Sequence, residues 1–208
     1  SSFPTQIIKG YGARIIVPLM NWLLLSFLPL RKVYTSSNIS FSAANGQFIM
    51  IDKNVYEEIG GHESVKERVV EDMELIRSVK KNGYKVITVL GGDTVFCEMY
   101  SSFKNAFNGF SKNFYPGFNI NPALFMLMLV FFVFTFFYPF LFVFFDLDFL
   151  NVIAVIILSR ILITMMTREN SLFDVLIHPL QMIALFIVGI NSVLISYTKR
   201  GEWKGRKI

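Results

Sequence analysis

The sequence predicts two regions of different class: a mixed α/β stretch that lives in water, then an α-helical transmembrane region. Three observations carry this. Three apolar segments close the chain, Pro122 to Phe145, Phe149 to Met166 and Val175 to Tyr197. Each is about 18 to 24 residues, enough to cross a hydrocarbon core of about 30 Å at 1.5 Å per residue. No Lys or Arg lies between Asn113 and Ser159, whereas Arg31 to Lys112 carries eleven of the twenty basic residues. In that charged stretch, short β-branched runs alternate with a helical period and are bounded by glycines.

Composition excludes an ordinary soluble domain. Hydrophobic residues make up 53% and charged residues only 17%, below the roughly 25% usual in soluble proteins. The net charge of +5 does not imply nucleic acid, because the basic residues are interleaved with Glu57, Glu58, Glu63, Glu67, Glu71 and Glu74. Beside a membrane, such an excess marks the cytoplasmic side and attraction to anionic lipid. The single cysteine, Cys97, allows neither an internal disulfide nor a zinc site. The opening Ser1-Ser2-Phe3-Pro4 has no initiator Met and no signal-peptide pattern, so the chain reads as a piece of a longer protein.

Residues 1–32 are expected to form a linker and a short apolar helix. That stretch, Ile15 to Leu30, contains Pro18, Pro29 and a central Trp22, and is flanked by Arg14 and Arg31-Lys32. Two readings stand: an amphipathic helix in the membrane interface, or a buried core helix. Residues 33–118 read as α/β. Gln47 to Ile51 is a candidate strand. Asp52 can N-cap a helix over Lys53 to Ile59 that Gly60 ends. Tyr84 to Leu90 and Asp93 to Tyr100 are strand-like. Residues 119–198 hold the three membrane helices, and 199–208 form a basic tail. Asp146-Leu147-Asp148 reads as a solvated turn between the first two spans. Among the spans only Arg160 and His178 are ionisable, both read as near segment ends. His178 is expected to be a helix-end hydrogen-bond donor, not a ligand.

The most informative residue is Asp72. Ser64 to Asn82 has a helical pattern, with Ser64 and Glu67 as a possible capping box and Val65, Val69, Met73, Ile76 and Val79 on one face. Asp72 falls within that apolar stripe. A carboxylate there is costly unless paired or used. It is therefore either salt-bridged in the core or placed at a cleft for chemistry. If the helix instead begins near Glu71, both acids sit in its first turn, where the dipole favours them.

Three stretches then line up in order: Ala43-Ala44-Asn45-Gly46-Gln47-Phe48; Tyr56-Glu57-Glu58-Ile59-Gly60-Gly61-His62; and Glu71-Asp72 before Met73-Glu74-Leu75 and Lys80-Lys81-Asn82-Gly83-Tyr84. Together they resemble the second half of the catalytic domain of membrane-bound family 2 glycosyltransferases. The likeness is to enzymes that glycosylate lipids, such as ceramide glucosyltransferases and hopanoid or carotenoid-acid glycosyltransferases. The tail Trp203-Lys204-Gly205-Arg206 is similar to the end of several of these. The resemblance implies a GT-A fold and an inverting transfer from a nucleotide-sugar donor to a lipid acceptor, with Asp72 as general base and Glu71 beside it. It implies that Asn45, Gly46, Gln47, Gly60, Gly61 and His62 line the acceptor or substrate side. The donor half with its metal-binding Asp-x-Asp is not in this chain, so a divalent metal, Mg or Mn, is expected through that missing half and no metal ligand is assigned here. This chain alone is expected to be inactive. The family's Gln/Arg-x-x-Arg-Trp motif is also lacking. Lys112 is the candidate for its positive charge at the diphosphate, although a membrane-flanking Lys explains it equally.

A multi-pass protein of the cell membrane with a cytosolic catalytic part follows, with no nucleic-acid partner. Three crossings would place Lys199, Arg200, Lys204, Arg206 and Lys207 outside, against the positive-inside tendency. Either one segment does not span or the tail is an exception. The competing reading is a non-enzymatic transporter or flippase component with a cytosolic cap.

Overall fold

The computed structural model describes residues 1–198 and, as backbone only, the paired strands β5 (Glu202–Trp203) and β6 (Arg206–Lys207). The expectations on the side chains of the basic tail, including Trp203 and Arg206, therefore lie outside the described residues. Two compact units form: Ser1–Ile7 with Leu23–Cys97, and Ile8–Trp22 with Glu98–Ile208.

In the first unit, β1 (Ser2–Phe3) pairs in parallel with β3 (Val89–Leu90), and β2 (Thr5–Gln6) with β4 (Phe96–Cys97). Pro4 separates the two pairs because it has no N–H to donate. Here the longer strands expected over Tyr84 to Leu90 and Asp93 to Tyr100 are cut to two residues each. Gly91 must be glycine: a Cβ there would meet the Val95 carbonyl and the Pro4 backbone. No strand forms over Gln47 to Ile51. The Asn45 carbonyl instead accepts from Phe48 N at 3.1 Å, closing a turn.

Helix α3 (Leu30–Thr35) follows the C-terminal part of α2 (Val17–Phe27). In α4 (Lys53–Glu58), Asp52 caps by accepting from Asn54 N and Val55 N, and Gly60 leaves the helix at φ +77°. The long helix expected from Ser64 does not form. Gly61–Val65 is a 3-10 turn, and the Ser64 hydroxyl donates to the Gly61 carbonyl instead of capping toward Glu67. Helix α5 begins at Glu71 and runs to Lys81, the second of the two starts read from the sequence. Val70 precedes it with non-helical backbone (φ −114°, ψ 64°) and is buried, while Glu71, Asp72 and Glu74 fill the first turn and Lys80 and Lys81 the last. That charge order complements the helix dipole. Leu75, Ile76 and Val79 are the buried stripe. Fully burying Leu75 contributes on the order of 1.5–3 kcal/mol. The Lys80 ammonium donates to the Phe41 carbonyl at 2.6 Å, holding the preceding loop to α5.

In the second unit, α1 (Tyr11–Arg14) and the first half of α2 (Val17–Phe27) are buried from Val17 to Leu19 and at Asn21 and Trp22. Trp22 is 1% exposed and meets Phe132 and Phe136 edge-on. Helix α6 (Phe103–Phe118) packs against α11 (His178–Thr198), where Ser192 Oγ accepts from Tyr115 N at 2.9 Å. Helix α7 (Pro122–Phe136) bends into α8 (Tyr138–Phe142) at Pro139, which removes a helical donor. A Cβ on Gly189 would collide with Leu129, so α7 and α11 touch closely. Asp146 Oδ1 accepts from Asp148 N at 2.9 Å, the solvated turn expected before α9 (Phe149–Thr167). The short α10 (Ser171–Leu176) is capped by Asn170.

Among the described residues three helical stretches are long and apolar enough to cross a membrane: Pro122–Phe142, Phe149–Thr167 and His178–Thr198. Arg160 is not near a helix end. It lies seven residues before the last residue of α9, about 10 Å along the axis, and is 0% exposed. His178 is also buried, and neither ring nitrogen has a hydrogen-bond partner among the described residues, so it is not the helix-end donor expected.

Candidate active site

The first turn of α5 and the turn after Ala44 are held together by one carboxylate. Asp72 is the second residue of α5, and its side chain is half-buried. Oδ1 accepts from Met73 N and Oδ2 from Gly46 N, each at 2.8 Å. No salt bridge to Asp72 is present among the described residues, so the buried-pair reading of its place in the stripe does not hold. Burial raises its pKa above the ordinary carboxylate range; the two backbone N–H groups pull the other way, and the neighbouring Glu71 charge adds to the rise. Each oxygen keeps a second lone pair. The group is thus an acceptor with raised proton affinity, fixed by backbone on both oxygens, at the positive end of a helix.

The Asn45-Gly46-Gln47 segment owes its shape to short-range bonds. Asn45 Oδ1 accepts from Gln47 N at 3.0 Å, an Asx turn. Asn45 N donates to Ser1 Oγ, and Gln47 Oε1 accepts from Gln6 Nε2, both at 3.0 Å. Ala44 N points at the Met73 thioether, 3.2 Å away. The Asn45 amide nitrogen is buried with no partner among the described residues, an available donor beside Asp72's loop. Gly46 itself is exposed.

Gly60, Gly61 and His62 form a second cluster around a residue to which the sequence assigned no role, Tyr56. Gly60 and Gly61 both have positive φ, +77° and +52°. The Tyr56 ring lies so close over Gly61 that a Cβ would fall 2.6 Å from it. Past the glycine, the Tyr56 hydroxyl accepts from His62 N at 3.0 Å and meets His62 Nδ1 at 2.7 Å. With one of its lone pairs taken by the backbone, the hydroxyl is free to donate its proton to Nδ1. In the tautomer where the hydroxyl gives its proton to Nδ1, the imidazole proton sits on Nε2 of the exposed ring. The signal in the sequence is an aromatic residue five positions before the second glycine. The 3-10 turn packs on both α4 and α5 and so ties this cluster to the helix that carries Asp72. No hydrogen bond joins the two clusters directly among the described residues. Beyond His62, an open depression is lined by Glu63, Ser64, Lys66, Glu67 and Arg68.

Glu71 is exposed at the start of α5 and touches Asp72 only through its charge. Lys112 belongs to the second unit, on α6. Among the described residues no three His, Cys, Asp or Glu side chains converge as metal ligands. Sequence reasoning also missed a buried polar network in the second unit, built on Arg160, Asp174 and Gln181. The pattern signal was weak: single polar residues in three separate apolar runs.

A family model described as glycosyl transferase family 21 matches residues 4–207. No curated protein and no solved structure matches the chain.

Proposed function

The chain belongs to glycosyl transferase family 21, and on that premise we propose that it supplies the acceptor-side half of a GT-A-type active site that transfers one sugar from a nucleotide-sugar donor to a membrane lipid, with inversion. The single observation that carries this reading is Asp72, half-buried and gripped by Gly46 N and Met73 N. An alcohol is a weak nucleophile at neutral pH and needs a base within hydrogen-bond reach. In the proposed step the acceptor oxygen bonds to the anomeric carbon as its proton passes to Asp72. The bond from that carbon to the diphosphate breaks, and the nucleoside diphosphate leaves with the electron pair.

The other residues position the acceptor. The exposed Gly46 and the half-buried Gln47 form the adjoining rim, Asn45 lies buried behind them with its side-chain N–H unpartnered among the described residues, and Glu71 raises the basicity of Asp72. Gly60 and Gly61 bring the backbone close, and His62 presents Nε2–H, oriented by Tyr56. Lys112 is proposed to stabilise charge on the departing diphosphate. A divalent metal, Mg or Mn, is assigned to residues outside this chain. Without a cluster of ligands here, no step above passes through it, and these 208 residues alone are expected to be inactive. The three apolar helices anchor the protein as a multi-pass component of the cell membrane with the catalytic part cytosolic. There a lipid keeps its tails in the bilayer while its head meets a water-soluble donor.

The test is Asp72→Asn in the full-length protein. Transfer is lost while nucleotide-sugar binding persists. Turnover retained in that variant overturns the assignment.

A further inference from the structure

The second unit holds a group of polar side chains that plays no part in the reaction above. Arg160 lies well inside α9 and is 0% exposed. Its Nη2 donates to Gln181 Oε1 at 2.6 Å, and Asp174 Oδ1 stands 3.9 Å away, too far for a hydrogen bond. Gln181 Nε2 donates onward to Asp174 at 3.1 Å and to the Arg14 carbonyl at 2.9 Å. On the other side, Asn21 Nδ2 donates to Glu169 Oε1 at 2.8 Å. So α1, α2, α9, α10 and α11 all reach this cluster.

Among the described residues several buried atoms have no geometric hydrogen-bond partner: Arg160 Nε and Nη1, Glu169 Oε2, and both ring nitrogens of His178; the Thr167 hydroxyl also approaches the Glu169 carboxylate. His178 is 1% exposed and lies within electrostatic reach of Arg160, as Glu169 does. Unsatisfied donors and acceptors are costly in apolar surroundings, and most costly in a segment that crosses lipid. Their chemistry restricts what can satisfy them. The Arg160 atoms only donate, an ionised Glu169 Oε2 only accepts, and a neutral His178 offers one of each. A cation is repelled by Arg160. An anion meets the Asp174 and Glu169 carboxylates. A neutral oxygen that both accepts and donates suits every one of these atoms.

We propose that Arg160, Glu169 and His178 form an internal binding site for hydroxyl oxygen within the membrane unit, bridging the guanidinium to the carboxylate. The hydroxyl comes from bound water or from the hydroxylated head of a membrane lipid. The site is independent of sugar transfer, so it stands or falls apart from the role of Asp72.

X-ray hydroxyl-radical footprinting of the full-length protein separates these outcomes, because radicals made from a bound water oxidise side chains that bulk solvent never reaches. The sample is the protein in detergent after exchange that strips lipid, read by mass spectrometry at His178 and at Trp22, whose ring centroid is 6.0 Å from that of His178. Phe125, equally buried but in an aromatic cluster, is the dry control. After correction for intrinsic reactivity, His178 and Trp22 are expected to oxidise on the order of tenfold faster than Phe125. Adding monoolein, which carries two hydroxyls, then distinguishes the sources, with methyl oleate as the hydroxyl-free match. Dose-dependent protection by monoolein alone identifies a lipid head as the natural occupant. Unchanged oxidation identifies water. Rates at His178 and Trp22 as low as at Phe125 in the stripped protein overturn the proposal. The reading needs only the unaltered protein, so no variant has to fold.

Discussion

Two carboxylate-centred clusters in this chain are built in opposite ways. Asp72 is half-exposed, and both its oxygens are held by backbone N–H groups of its own unit. The Arg160 cluster is buried, is assembled from side chains on several helices, and leaves five of its atoms unpaired. Backbone grip plus exposure suits a group that must meet a substrate without moving. Side-chain assembly plus burial makes a cluster whose integrity depends on every member. Loss of Asp72 should therefore cost activity and spare the fold, and loss of Arg160 should do the reverse.

The sharpest break of that contrast is a pair of substitutions. Asp72→Asn is expected to lower turnover by roughly 10²- to 10⁴-fold, with a fall in thermal midpoint smaller than that of Arg160→Met, because the carboxamide NH2 can no longer accept one of the two backbone N–H bonds. Arg160→Met removes the positive charge that Asp174 and Glu169 face. It is expected to cost about 3–5 kcal/mol, read as a lowered unfolding midpoint in detergent. A loss of stability in Asp72→Asn comparable to that in Arg160→Met would erase the distinction. Next in size is Gly61→Ala. The added methyl meets the Tyr56 ring and the residue must keep φ +52°; a local cost of about 1–3 kcal/mol follows, with activity lost through His62. A double variant, Gly61→Ala with Tyr56→Ala, should recover part of the stability but not the orientation of His62.

Acid titration gives smaller, opposite signatures. With Asp72 as the proposed base, activity is expected to require its ionised form and to fall as pH drops through a pKa raised by burial and by Glu71. Glu71→Gln removes one of those causes, and the acid limb of kcat/KM should move to lower pH. In the second unit, burial pushes Glu169 up to about 7, above the roughly 4.3 of an unfolded glutamate. Folding thus favours its protonated form. That contribution is fully present below the unfolded value and is lost as pH rises through about 7. Glu169→Gln stays neutral throughout, and its stability between about pH 5 and 8 should lack that downward slope.

What the sequence disclosed follows the range of the interactions. The three membrane-length helices were legible because each is a long apolar run, the first of them capped by Asn121. The Asp52 cap and the Asp146 turn were legible because both are bonds to backbone two or three residues on. The start of α5 stayed open because Val65 and Val69 continue its period. Only the buried, non-helical Val70 and the 3-10 turn show where the helix begins. The candidate strand after Asn45 failed because a turn signal at Asn45-Gly46 outweighed a short β-like run. The Asp72–Gly46 bond joins residues 26 apart, and the Arg160 cluster draws on residues up to about 167 apart. No local pattern encodes such contacts. Asp72 was singled out by a costly carboxylate in an expected apolar stripe and by the Glu71-Asp72 pair in the family resemblance.

The stacking of Tyr56 on Gly61 bears on how this protein can change over generations. While the aromatic ring stays, position 61 admits no side chain, and while the hydroxyl anchors His62, position 56 admits no phenylalanine without freeing the imidazole. The three positions are therefore inherited as one unit. Among descendants of this sequence, a lost tyrosine should be followed by drift at both the glycine and the histidine, in that order.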